Sequence, residues 1–275
     1  MRRTEPDPLH VARDIPHAEV AVIGGSGFYS FLDDPEQVAV QTPYGEPSGP
    51  VSVGEVAGRR VAFLPRHGSG HELPPHRINY RANLWALRSL GVRQVLAPCA
   101  VGGLRSEVAP GDLVVPDQLV DRTSGRERSY VERGAVHLPF ADPYCPRLSS
   151  ALAAPDGVRR GGTMVVIDGP RFSTRAESQD YASRGWTLIN MTGAPEAALA
   201  RELRMCLATI ALVTDMDAGV AGEAGVRQDE VFALFAKNTE RLKTLIGGVI
   251  AELPDPAGCT CDTWAEGLEL TYEIP

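Results

Sequence analysis

Two aspartates, Asp215 and Asp217, close the most apolar run of the chain, Cys206 to Thr214. Alternation along a strand puts both side chains on one face unless the chain turns between them. Close carboxylates repel, which raises the pKa of one and suits a proton donor at neutral pH. A solvated turn, or Asp217 capping a helix before Ala218-Gly219, accounts for the same residues, and a carboxylate pair also suits glycoside hydrolysis. Opposite in character are Gly24-Gly25-Ser26-Gly27 and Arg66-His67. The glycines let backbone N–H groups curl into an anion-binding nest to which Ser26 adds a hydroxyl, or they form a plain tight turn. The run lacks the third glycine of G-x-G-x-x-G and the Lys-Ser/Thr of a Walker loop. Arg66 is the residue type that holds a phosphate at two points; the alternative is a solvated surface loop.

Other groups are less specific. His71-Glu72-Leu73-Pro74-Pro75-His76 is one residue too long for H-E-x-x-H, and its prolines forbid the helix, so no metal is expected there. Phe172, after Gly169-Pro170-Arg171, either stacks on a flat ligand or fills core. Cys259-Thr260-Cys261 could form a vicinal-type disulfide or bind a soft metal; a pair of ordinary thiols is expected, and no metal site is predicted anywhere in the chain.

The elements needed to position these groups are legible. Strands are predicted at 19–23, 51–56, 60–64, 94–97, 112–116, 163–167, 187–190 and 206–214. Helices are predicted at 79–90, 175–184, 195–205 and 229–252. Residues 117–160 show no clear element and read as a long functional loop. Strands alternating with helices make an α/β protein, whose ligands sit beyond the carboxyl ends of the strands. Five polar or glycine-rich junctions occupy that position: 24–27, 66–67, 99–103, 190–192 and 214–217. The expected organisation is a loose N-terminal arm (1–17), one domain (18–253) and an irregular tail (254–275).

Composition sets the outer bounds. The 275 residues carry 27 Lys+Arg against 35 Asp+Glu, a formal net charge of −8, which argues against duplex nucleic acid as partner. No apolar run approaches the roughly 18 residues of a membrane span, and no early segment reads as a signal peptide. Five irregularly spaced cysteines do not make a disulfide framework, so an intracellular, cytoplasmic enzyme is expected.

In order and spacing, a set of runs resembles the 5′-methylthioadenosine phosphorylase branch of the trimeric purine nucleoside phosphorylase family. They are Ile23-Gly24-Gly25-Ser26-Gly27, Arg66-His67-Gly68, Asn79 to Leu87, Gly102-Gly103-Leu104-Arg105 and Pro110-Gly111-Asp112. They continue with Asp121-Arg122-Thr123, Gly169-Pro170-Arg171-Phe172, Asn190-Met191-Thr192 with Pro195-Glu196, and Thr214-Asp215-Met216-Asp217. The resemblance covers about Val20 to Leu245 and implies a single domain with a central mixed β-sheet flanked by helices. It implies a pentosyltransferase of purine and methionine salvage that needs no cofactor, phosphate being a co-substrate. It also implies a homotrimer with sites shared between neighbours.

Residue by residue, the resemblance implies a phosphate site of Ser26, Arg66, His67, the Cys99-Ala100 backbone and Thr192. Met191 would pack under the ribose, and Phe172 would stack on the purine with Asn190 nearby. Asp215 would contact the base at N7, and Asp217 would complete recognition of its 6-amino group, making these two the catalytic pair. Val231 and Phe232 would line the 5′ pocket, which His137 would reach from a neighbouring subunit. One departure is Cys99, where many relatives carry Thr, Ser or Asn; a thiol donates weakly, so that contact would rest on backbone N–H.

Phosphorolysis agrees with these residues. A phosphate must lie below C1′ while negative charge moves onto the departing purine, so a proton or strong hydrogen bond at N7 stabilises departure. A carboxylate accepts from a 6-amino group and repels a 6-oxo acceptor, and relatives acting on 6-oxopurines tend to carry Asn in place of Asp215. The expected reaction is phosphate-dependent cleavage of 5′-methylthioadenosine to adenine and 5-methylthioribose 1-phosphate. The alternatives are a 5′-methylthioinosine or 6-oxopurine nucleoside phosphorylase, a non-catalytic nucleoside-binding protein, and a nucleoside hydrolase.

Overall fold

Residues 20–24, 61–64 and 206–213 are apolar with almost no alternation, and such runs must be covered on both faces. The computed structural model, which describes residues 16–220 and 225–275, shows how this is done. In chain order the strands are β1 (Val20–Gly24), β2 (Glu36–Val38), β3 (Val51–Val56), β4 (Arg59–Pro65), β5 (Gln94–Gly103) and β6 (Leu113–Val115). They continue with β7 (Gln118–Asp121), β8 (Val158–Arg160), β9 (Thr163–Val166), β10 (Leu188–Asn190) and β11 (Cys206–Met216). The helices are α1 (Tyr80–Ser89), α2 (Pro146–Leu152), α3 (Arg175–Ser183), α4 (Gly193–Glu202), α5 (Gln228–Glu252) and α6 (Thr260–Thr263).

The described strands form one mixed sheet that forks at β5. One path runs β2-β3-β4-β1-β5-β10-β9-β7; along the other, β11 pairs with β5, β6 with β11 and β8 with β6. β4, β1, β5 and β11 are parallel, so their carboxyl ends share one edge. β10 meets the end of β5 antiparallel, with Ile189 opposite Gly102. Successive residues of β1 divide between two cores: Ala21 and Ile23 join the side covered by α1 and α4, Val20 and Val22 the side covered by α2 and α5.

Local chemistry sets the helices. Asn79 caps α1 by accepting from the Ala82 N–H at 3.1 Å, and Gly91 ends the turn at φ +89°. Thr174 and Glu177 form a reciprocal capping box on α3. Along α5, Val231, Phe235, Leu242, Ile246, Val249 and Ile250 make a buried stripe.

The structure departs from the sequence reading in several places. β5 continues through Pro98 to Gly103 rather than ending at 97, because β11 pairs along its whole length. β11 likewise runs to Met216 rather than stopping at 214. Residues 117–160 contain β7, α2 and β8, elements of three to seven residues whose order comes from the sheet and core they join. β2 was not anticipated either, and the 254–275 tail includes the short helix α6. Of the expected N-terminal arm, residues 1–15 lie outside the described residues.

Candidate active site

The carboxyl ends of β1, β4, β5, β10 and β11 open on one cavity of about 430 Å³. The turn after β1 brings Gly25 and Ser26 to its wall, and the chain leaving β4 brings Arg66 and His67. β5 contributes Cys99 and Ala100, the end of β10 contributes Asn190, Met191 and Thr192, and β11 leads to Asp215 and Asp217. Phe172 enters from the segment after β9, and Val231 and Phe232 from the first turns of α5. Every site residue singled out from the sequence therefore lines one cavity, except His137, which is exposed and lies outside it.

At one end of the cavity is a buried ion pair. Arg66, 1 % exposed, donates from Nε to Glu196 Oε1 at 2.7 Å and from Nη2 to Oε2 at 2.9 Å. Burial works against its charge, and Glu196 more than offsets that, holding the guanidinium above its ordinary pKa. Nη1 remains, donating weakly to Pro98 O at 3.4 Å beside Gly25. No local pattern in the sequence marks Glu196 as the partner of Arg66, 130 residues away.

His67 is neutral. Burial first, and Arg66 next, push its pKa down to about 3. Its Nδ1 lies 2.9 Å from Leu73 O, a carbonyl that only accepts, so Nδ1 carries the hydrogen and Nε2 keeps a lone pair. That nitrogen can take a hydrogen bond from a protonated oxyanion. His71 stacks on His67 with centroids 4.4 Å apart and bonds through Nδ1 to Tyr29 Oη at 2.9 Å. Burial pushes the Cys99 thiol up to about 12, so Cys99 stays protonated and is a poor nucleophile.

At the other end, each aspartate has its own hydroxyl donor. Thr214 Oγ1 donates to Asp215 Oδ2 at 2.8 Å, and Ser178 Oγ on α3 donates to Asp217 Oδ2 at 2.6 Å. The register of β11 against β5 slips between Val213 and Asp215, a bulge at Thr214. Gly102 lies beneath them: a Cβ there would sit 3.1 Å from Asp215 Oδ1 and 2.9 Å from Ile189 Cγ2, so only glycine fits. Ser173 Oγ is buried without a hydrogen-bond partner on the same cavity wall, a further polar group the sequence did not mark.

Asn190 has a mainly structural hand in the site. Its Oδ1 accepts from the Thr192 and Gly193 N–H groups, both at 2.7 Å, and its Nδ2 donates to Ala100 O at 3.1 Å. It thereby fixes the turn that presents Met191 and Thr192, with one amide hydrogen left for a ligand. Met191 Sδ packs against Gly169, where a Cβ would come within 2.5 Å. Phe232 meets His71 edge-on at 5.5 Å, which makes that end of the cavity apolar and aromatic.

The arrangement joins oxyanion donors, an aromatic ring and two carboxylates in one cavity. Residues 19–251 match the sequence profile described as Phosphorylase superfamily. The chain is 57 % identical over 257 residues to an S-methyl-5'-thioadenosine phosphorylase of Mycolicibacterium smegmatis, covering 93 % of this chain and 99 % of that one. It is 54 % identical over 274 residues to a purine nucleoside phosphorylase of Streptomyces coelicolor, covering 94 % and 98 %. The crystal structure of a methylthioadenosine phosphorylase from an antarctic soil metagenomic library superimposes with a TM-score of 0.82 at 41 % identity, over 90 % of each chain.

Proposed function

The chain belongs to the phosphorylase superfamily, and on that premise we propose that it cleaves 5′-methylthioadenosine with inorganic phosphate. The products are adenine and 5-methylthioribose 1-phosphate. The observation that carries the reading is a single cavity in which Arg66 and the 24–27 turn share the walls with Asp215, Asp217, Phe172 and Met191.

Phosphate is held by Ser26, the adjoining backbone, Arg66 Nη1 and Thr192, with the Cys99-Ala100 backbone beside it. Glu196 occupies the Nε–Nη2 edge of the guanidinium and fixes its plane, while the neutral His67 accepts a hydrogen from the protonated phosphate. Met191 packs under the ribose and Phe172 stacks on the base. As the glycosidic bond breaks, negative charge collects on the purine; Asp215, carrying a proton, donates it to N7, while the Asp217 carboxylate accepts from the 6-amino group. The reaction draws on no cofactor. Val231 and Phe232 receive the apolar 5′ substituent.

The reading includes a homotrimer in which His137 reaches the 5′ substituent in a neighbouring subunit; that His137 is exposed and does not line its own cavity supports that part. It also places the enzyme in the cytoplasm, in methionine and purine salvage. A second reading, a phosphorylase of 6-oxopurine nucleosides, is favoured by the purine nucleoside phosphorylase similarity. Asp215 and Asp217 together weigh against it, since a carboxylate oxygen facing the 6-position meets a 6-oxo purine as a second acceptor.

The deciding experiment is base release from 5′-methylthioadenosine and 5′-methylthioinosine, each with and without phosphate. Phosphate-dependent release of adenine alone supports the first reading. Preferential release of hypoxanthine supports the second, and release without phosphate excludes both.

A further inference from the structure

We propose that Cys145, Cys206, Cys259 and Cys261 form a tetrathiolate site for one zinc ion, which clamps the C-terminal segment to the sheet. The four Sγ atoms all lie within 4.8 Å of one another. They come from three separate places: the residue capping α2, the first residue of β11, and the start of α6, where Cys259 is the N-cap and Cys261 lies in the helix. Cys145 and Cys259 are 3.7 Å apart, close to the edge of about 3.8 Å that a tetrahedron with zinc–sulfur bonds of about 2.3 Å requires. A disulfide needs its sulfurs about 2.05 Å apart, and all five cysteines of the chain are free thiols.

The environment fits a closed, structural site. Cys145, Cys206 and Cys261 are 1 % exposed or less, and only Cys259 is half-buried. Thiols are weak donors and acceptors, so four of them packed together satisfy one another poorly. A soft divalent ion with tetrahedral preference satisfies all four at once. Binding releases the four thiol protons and leaves a net charge of −2 on the centre. Arg147 Nη2, 3.5 Å from Cys206 Sγ, and Arg201, which acts electrostatically on Cys261, offset that charge.

With four protein ligands the ion has no open position. The site also lies about 30 Å along β11 from Asp215, at some 3.3 Å per residue. Its role is therefore mechanical: it ties the 254–275 segment to β11 and α2. That segment already reaches α4, through Trp264 Nε1 to Arg201 O at 2.9 Å and Tyr272 Oη to Glu202 O at 2.8 Å. The sequence reading took Cys259 and Cys261 for ordinary thiols and expected no metal. Cys145 and Cys206, 114 and 53 residues upstream of Cys259, form no ligand-spacing motif with them.

The test uses full-length protein without a histidine tag, purified in reductant without chelator. Elemental analysis should find about one zinc per chain, released by a mercurial thiol reagent. Replacing zinc with cobalt(II) should give the intense visible bands of a tetrahedral thiolate centre. C259S together with C261S should lower the zinc content at least tenfold, while C99S keeps it. Zinc removal should lower Tm by about 5 °C or more. Should the double variant not fold, the cobalt spectrum of the unmodified protein decides. The proposal is overturned if the reduced protein takes up no stoichiometric zinc on addition of zinc chloride. It is equally overturned if iron occupies the site, or if thiol titration of denatured, unreduced protein shows these cysteines paired as disulfides.

Discussion

Glu196 determines what Arg66 can offer a ligand. With Nε and Nη2 held by the carboxylate, one nitrogen faces the cavity and the pair as a whole is neutral, so an incoming phosphate does not meet a freely hydrated cation. Asp215 is the other decisive residue. Asp215→Asn should cut adenine release from 5′-methylthioadenosine on the order of 10²–10³-fold in kcat while changing stability by about 1 kcal/mol or less. It should also move purine preference toward 6-oxo nucleosides; unchanged turnover and preference would remove Asp215 from the chemistry. His67 makes a prediction about pH. Its pKa falls from 6.5 in the unfolded chain to about 3 in the fold, so protonation favours unfolding as pH drops through that window. Stability should be greatest above about pH 6.5 and decline below it, by up to about 1.4 kcal/mol per pH unit from this one group. His67→Asn, whose amide can still donate to Leu73 O, should flatten that decline in urea titrations at pH 7, 6 and 5.

Among the elements, the 24–27 turn and α5 are coupled at Gly27, whose carbonyl accepts from Thr239 Oγ1 at 3.4 Å. Gly27 sits at φ +77°, and a Cβ there would lie 2.7 Å from Phe235 Cδ1. Gly27→Ala should therefore destabilise by about 1–3 kcal/mol, with strain and overpacking adding, and should raise the phosphate KM because Ser26 is displaced. Denaturant midpoints and phosphate titrations check the two parts separately; a variant with parental values in both would disprove the coupling. The bulge at Thr214 is the second element-scale device. It keeps Asp215 on the cavity wall and Asp217 in reach of Ser178 even though β11 is longer than its apolar pattern suggests.

For the molecule as a whole, the two-faced sheet places all the chemistry at one edge and leaves the opposite end to hold the chain together. Tyr272 stacks on the buried Tyr130 at 6.0 Å and bonds to Glu202 O, so the tail covers the α1 and α4 side of the core. Tyr272→Ala should cost about 1–3 kcal/mol in equilibrium unfolding. It should leave kcat and KM at 25 °C near the parental values, because the tail does not line the cavity. A large loss of activity in folded Tyr272→Ala would show that the tail does more than pack.

Local physics wrote much of this into the chain. Unbroken apolar runs announced buried parallel strands, glycines and Arg66-His67 followed strand ends, and capping signals bounded the helices; these depend on neighbours a few residues apart. The mixed sheet, the convergence of the junctions and the cavity depend on pairing between distant segments, and the identity of the site residues was legible chiefly through the spacing of several runs together. Tertiary structure alone decided the Arg66–Glu196 pair, the neutral state of His67, the extension of β5 through Pro98 and the gathering of four thiols. Each arises from groups tens to more than a hundred residues apart, brought into a low-dielectric interior where burial and a single partner set charge and geometry.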